Sequence, residues 1–161
     1  MSEDARFEDA GGSPLRLMAK DKADLEIISA LVQDAVFPMT EMSWSPAKRR
    51  FALLVNRFRW EDRADARAAQ RKYERVRSML IFSDVIRVAS SGFDREQRDL
   101  VMSLLDITFE PGEDGTGRCQ LMLAGDGAIG LDVECLDVQL VDVTRPYAAP
   151  SGTAPDHRLE D

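Results

Sequence analysis

The chemistry this sequence could perform starts with its cations. Between Lys48 and Arg77 the chain carries eleven Lys or Arg residues and four Asp or Glu. The segment therefore holds a charge of +7, while the whole chain of 161 residues has a net charge of −8. Phe51, Phe58, Trp60 and Tyr73 lie among these cations. Guanidinium groups for phosphate and rings for base stacking are the combination that holds single-stranded nucleic acid. The competing reading is that the basic segment pairs with acidic strands of the same fold and the rings fill the core. The overall acidity favours it, because an acidic protein repels polyanions at long range.

Other chemistries find less support. The single histidine, His157, lies near the C-terminus, so no triad or general base inside the body can use one. Cys119 and Cys135 cannot build a disulfide scaffold. Their apolar and acidic neighbours keep a thiol protonated, so both are expected as buried thiols rather than redox groups. Asp132, Glu134, Asp137 and Asp142 cluster in sequence, and Asp106 and Glu110 lie on another segment, but no compact D-x-D-x-D-G loop occurs. Phosphate-loop, dinucleotide and nucleophile-elbow glycine patterns are missing too. No catalytic residue, metal site or cofactor is assigned on these grounds.

A polar set stands out instead. Asp34, Asn56, Arg57 and Glu134 each sit beside strongly apolar neighbours, with Arg59 and Trp60 close in sequence to two of them. These six are the candidate binding residues, expected to converge with Trp60 as an anchor. The alternative is structural: Asp34 with Arg57 and Glu134 with Arg59 as ion pairs.

The elements that must position them follow from periodicity. Residues 1–13 and 146–161 are polar, Gly- or Pro-containing and aperiodic, and are expected to be mobile tails around a single domain over 14–145. Residues 15–19 predict a strand. Asp21 can then cap a helix, with Asp24 three residues on, and Leu25, Ile28, Val32 and Ala35 repeat at helical spacing as far as Pro38. Residues 40–45 and 49–60 predict an antiparallel pair turning through Ser45-Pro46-Ala47-Lys48, with Pro46 at the second position. In the second strand Phe51, Leu53 and Val55 share one face, and Ala52, Leu54, Phe58 and Trp60 the other. Apolar residues on both faces imply a central strand or one covered on both sides.

Residues 61–74 read as a short exposed helix or loop. Strands are expected over 76–89, bent at Ser83-Asp84, and over 99–110, with Leu105, Ile107 and Phe109 on one face. A three-residue loop, Gly125-Asp126-Gly127, joins the last hairpin. It puts Cys119, Leu121 and Leu123 on the same face as Ile129, Leu131, Val133 and Cys135. The phase then shifts so that Leu136, Val138 and Leu140 become the apolar set, which a β-bulge near Cys135-Leu136 would explain.

The segments Leu15-Arg16-Leu17, Asp24 to Ala30, Gln33 to Val36, Asn56-Arg57-Phe58-Arg59-Trp60-Glu61, Phe109-Glu110-Pro111-Gly112 and Val133-Glu134-Cys135 resemble an uncharacterised alphaproteobacterial family, domain of unknown function 2948. The resemblance covers residues 14–145, implies a bacterial cytoplasmic setting and carries no activity. The expected fold is α+β: mostly antiparallel strands in a bent sheet or partly open barrel with one N-terminal amphipathic helix, with a pleckstrin-homology-like barrel as an analogy. The acidic start without an apolar run, and the lack of any stretch near 18 apolar residues, are expected of a cytoplasmic protein without a membrane anchor. The preferred function is a non-enzymatic binding or accessory, regulatory protein with a cytoplasmic protein partner. The alternative is a nucleic-acid-associated module using segment 48–77. The sequence leaves open whether the protein is a monomer or a homodimer.

Overall fold

In the computed structural model, residues 14–70 and 72–148 are described. The strand and helix patterns resolve into β1 (Arg16–Ala19), α1 (Lys22–Leu31), β2 (Val36–Pro38), β3 (Met42–Ser45), β4 (Arg50–Phe58), α2 (Arg63–Ala68), β5 (Glu74–Phe82), β6 (Val85–Ser91), β7 (Val101–Pro111), β8 (Gly117–Leu123), β9 (Gly127–Val133), β10 (Val138–Asp142) and β11 (Tyr147–Ala148). All the strands belong to one 11-stranded antiparallel sheet. Its order is β1-β10-β5-β4-β2-β7-β8-β9-β6, with β3 beside β4 and β11 beside β5. The fold is α+β. The sheet ends at β1 on one side and β6 on the other, so it does not close into the barrel offered as an analogy.

Two halves meet at β2. On one side Val36 pairs with Asn56 of β4; on the other, Val36, Phe37 and Pro38 pair with Ser103, Met102 and Val101 of β7. One core runs through both halves, from Leu53, Leu80 and Leu140 to Leu104, Leu121 and Leu131, all fully buried.

Asp21 caps α1 by accepting a hydrogen bond from the Asp24 N–H at 2.8 Å. Leu25, Ile28 and Ser29 of the helix are buried. The helix stops at Leu31, short of the Pro38 limit set by spacing, because Asp34 adopts a left-handed φ of 66° and the chain leaves as β2. Val32 and Ala35 are still buried, which is why the apolar spacing outlasts the helix.

Three registers differ from expectation. Leu104 pairs with Leu123 and Asp106 with Met122, so Leu105 is a bulged residue and lies exposed. The buried face of β7 is therefore Met102, Leu104 and Ile107 rather than the Leu105, Ile107, Phe109 set. Ser29 fits this bulge: its hydroxyl donates to Asp106 Oδ1 at 2.8 Å and accepts from the Ile107 N–H at 2.9 Å. In the last hairpin Leu123 pairs with Gly127, so the loop is Ala124-Gly125-Asp126, one residue earlier than expected, with positive φ at Gly125 and Asp126. The face assignment survives because the shift in pairing is even, and a strand has period two. At the β3–β4 turn Ser45 pairs with Arg50. The Arg49 N–H donates to the Pro46 carbonyl at 3.2 Å, which puts Pro46 at the first position of the turn rather than the second.

The phase shift after β9 is no bulge. The strand ends at Val133 and the chain bends before β10 starts in the other half of the sheet. Alternation stops there, so Cys135 is exposed instead of buried, and its thiol donates to Asp84 Oδ2 at 3.1 Å. Cys119 is buried as expected, and burial pushes its thiol up to about 12. Of the expected tails, residues 1–13 and 149–161 lie outside the described residues, whereas Tyr147–Ala148 pairs with β5.

Two outcomes follow. Under native conditions alkylation should modify Cys135 alone, with Cys119 reacting only after unfolding; equal labelling of both thiols would contradict this register. Ile28→Ala should lower stability by about 2–5 kcal/mol, read as a fall in the thermal or urea midpoint, because Ile28 is 1% exposed beneath the sheet.

Candidate interaction surface

The six sequence-selected residues separate into three places. Arg57 continues the buried row Phe51, Leu53, Val55 on β4 and is 0% exposed. A charge in that position must be met on every side. Its guanidinium donates to both Glu61 carboxylate oxygens at 2.9 and 2.8 Å, to Asp142 at 3.0 Å and to the Ser78 hydroxyl at 3.0 Å. Asp142 also accepts from the Ser78 hydroxyl at 2.6 Å and the Leu15 N–H at 2.9 Å. Arg59, buried beside it, bonds Glu74 and lies 3.7 Å from both Glu61 and Asp62.

The expected ion pairs are thus replaced by others. Arg57 finds Glu61 and Asp142 rather than Asp34. Glu134 finds Arg49 rather than Arg59, at the far end of β4. Seven residues of strand from Arg49 to Asn56 span about 23 Å, so Glu134 joins no common site with the rest.

Asp34, Asn56 and Trp60 do approach one another, where β2 crosses β4. The Trp60 indole N–H donates to the Gln33 carbonyl at 3.0 Å. The Asn56 amide donates to the Tyr147 hydroxyl and accepts from Arg75 Nε at 2.7 Å. Burial lowers the Arg75 pKa, against the opposing influence of Tyr147 and Asp34. Trp60 stands edge-on to Phe58 at 4.7 Å and beneath Arg63 at 5.8 Å, and Tyr73 closes over Phe58 at 5.7 Å. Reasoning from sequence missed Arg75, Ser78, Asp142 and Tyr147, whose roles arise from pairing across more than 15 residues of chain.

Two clefts indent the surface. One, about 510 Å³, lies between α1 and β7 and includes Lys22, Glu26, Gln33 and Thr108. The other, about 630 Å³, lies between β3 and β6 over Trp44, Phe51 and Ile129, with Asp94, Arg95, Glu96 and Arg98 at its rim. Neither lining includes a histidine or cysteine. Among the described residues no group of three His, Cys, Asp or Glu side chains is arranged to hold a metal.

The larger feature is a face. Strand alternation directs Ala52 and Leu54 of β4, Met79 and Ile81 of β5, Val141 of β10 and Met18 of β1 away from the core. The registers Leu54↔Met79↔Val141 and Ala52↔Ile81↔Gln139↔Met18 set them in two rows. Met18 and the following Val143 are each 51% exposed, and Leu54, Met79, Ile81 and Val141 are half-buried. Among the described residues the helices make their main contacts elsewhere: α1 against β7 and β1, α2 against the turn that precedes it. An antiparallel sheet whose second face meets water normally shows polar residues there; this one shows mainly aliphatic and thioether side chains, with Gln139 between Ile81 and Met18, the kind of patch that marks an interaction site. The doubly apolar pattern of β4 was its sequence signal.

Burial alone would raise the Glu61 pKa, but hydrogen bonding and charge from Arg57, with Arg59 adding, hold it below its ordinary value. A depressed carboxyl stabilises the fold fully above the unfolded value of about 4.3, and that contribution fades as the pH falls through the lower folded value. Glu61→Gln should therefore flatten the acid limb of a urea-midpoint profile; an unchanged limb would contradict the pairing. Arg57→Met should cost about 3–5 kcal/mol by stranding buried carboxylates, with much of the loss recovered in Arg57→Met/Asp142→Leu.

No curated protein and no solved structure matches the chain significantly. Residues 15–157 match a family model described as a protein of unknown function, DUF2948, and since that match takes in the whole described body apart from Pro14, the chain belongs to the DUF2948 family.

Proposed function

We propose that this is a non-enzymatic binding protein, an accessory or regulatory domain of the bacterial cytoplasm, that docks a protein partner on the outer face of β4, β5, β10 and β1. The apolar face carries the reading: Leu54, Met79, Ile81, Val141 and Met18 form one surface, and among the described residues neither helix makes its main contacts there. Two unlinked cysteines accord with a reducing compartment. No helix of the described residues is long and apolar enough to cross a membrane.

A nucleic-acid role for segment 48–77 retains Arg50, Arg75 and Arg77 on the outer face and the Arg63 guanidinium over the Trp60 ring. It loses Arg57 and Arg59 as phosphate ligands, because both are buried and paired with carboxylates.

The test compares the full chain with its Met18→Glu/Met79→Glu variant as bait in the source cytoplasm. Stability should change by about 1 kcal/mol or less, since both side chains lie on the outer face of strands. A specific set of proteins should be retained by the native chain and lost by the variant. Identical protein sets for both would sink the reading. Recovery of RNA alone, with an affinity that falls steeply with salt, would replace it with the nucleic-acid role.

A further inference from the structure

The docking face also states what should cover it. We infer that the face takes an amphipathic helix from another protein, one whose apolar stripe is flanked by Asp and Glu. This rests on the reading of the face as a protein-docking surface and specifies the partner's chemistry.

Charge is the first argument. Alternation along β1, β4, β5 and β10 directs four ionisable side chains to the outer face, Arg16, Arg50, Arg75 and Arg77, and all four are basic. They border the apolar centre: Arg16 opposite Val141, Arg77 opposite Asn56, Arg75 opposite Phe58 and Arg50 at the start of β4. The acids within reach stand at the margin: Glu41, 3.9 Å from Arg77, and Asp34, whose charge acts on Arg75. In a chain with a net charge of −8, a face whose outward strand positions carry arginine and no carboxylate, with Arg16 and Arg50 at its border, complements an acidic surface. A second copy set face to face would oppose arginine to arginine, and like charges brought together across an interface are costly.

The centre is the second argument. It is made of Leu, Ile, Val, Ala and Met, with no aromatic ring among the outward residues from Ala52 to Asn56 and from Arg77 to Ile81. Bases need a ring to stack on; the ring on this side, Tyr147, stands at the edge opposite Arg75 with its hydroxyl tied to Asn56, so the apolar centre itself offers no stacking platform. Methionine side chains, at positions 18 and 79, adapt to an incoming apolar stripe.

Shape is the third. A sheet face in an α+β domain is ordinarily buried by a helical layer, and among the described residues α1 supplies one on the inner face. Four strands at about 4.8 Å spacing make a width of about 14 Å, and Ala52 to Asn56 adds about 13 Å along the strand. The diagonal, about 20 Å, accommodates three to four turns of helix at 5.4 Å per turn.

A photo-crosslinking benzoylphenylalanine placed at Met79, and separately at Val143, of the full chain in its source cells tests this, with melting midpoints confirming the fold. After irradiation, mass spectrometry identifies the segment joined to each probe. The expected product is one segment of about 10–15 residues from another protein, apolar at i, i+3, i+4 and i+7, with a net negative charge. Its yield should fall about tenfold in Arg16→Glu/Arg77→Glu. A basic or extended segment of another protein would overturn the helix inference while leaving protein docking intact. Crosslinks to residues 1–13 or 149–161 of the same chain, to a second copy, to nucleic acid or to lipid, or no crosslink from either probe, would overturn both.

Discussion

The Asp142 carboxylate is the point at which four strands are held together. It accepts from Arg57 on β4, from Ser78 on β5 and from the Leu15 N–H at the entrance to β1, while itself closing β10. Without Arg57 the carboxylate would be a buried charge with no counterion, and without Asp142 the guanidinium would lean on Glu61 alone. Each partner is tolerable only because the other is there. The pair thus acts on register as much as on stability: Arg57 reaches Asp142 only when β4, β5 and β10 are aligned as they are, with Asp142 facing Ser78 and Ser78 facing Val55.

That alignment has a consequence on the opposite side of the sheet. With the inner row fixed as Phe51, Leu53, Val55 and Arg57, period two places Ala52, Leu54 and Asn56 outside, and the neighbouring strands follow with Met79, Ile81 and Val141. The inner side of this layer is filled by the core and closed by the ion network. The outer side carries apolar residues at its centre and arginines at its border. At the end of β4 the Phe58, Trp60 and Tyr73 rings turn the chain over the edge of the layer and bury Phe58. Among the described residues the face is open between that aromatic cap and the β3–β4 turn.

Much of this was legible in the residues, and the misses share a cause. The Asp21 cap and the facing of Cys119, Leu121 and Leu123 with Ile129, Leu131 and Val133 are local or period-two properties, so patterning finds them; the bend expected at Ser83-Asp84 is instead the end of one strand, β5, and the start of another, β6, at the far edge of the sheet. The exposure of Leu105 and Cys135 depends on where a partner strand shifts or ends, which no local pattern records. Arg57 is the sharpest case. It was read as a binding residue although period two sets it in the row of Phe51, Leu53 and Val55, because its partners Asp142 and Ser78 lie 85 and 21 residues away and sequence pairing offered Asp34 in their place. Glu134 was grouped with Asn56 by its polarity alone, and its position on another part of the sheet dissolves the group.

The account turns on the outer face being open in the free chain. A direct measurement is solution NMR of methyl-labelled methionine in the full chain, with a soluble paramagnetic agent added to broaden every methyl that water reaches. The structure predicts strong broadening at Met18 and Met79 on the outer face and little at Met39 and Met102, each 6% exposed in the core. Protection of Met18 and Met79 to the level of Met39 and Met102 would mean that the face is already covered, and would contradict the account.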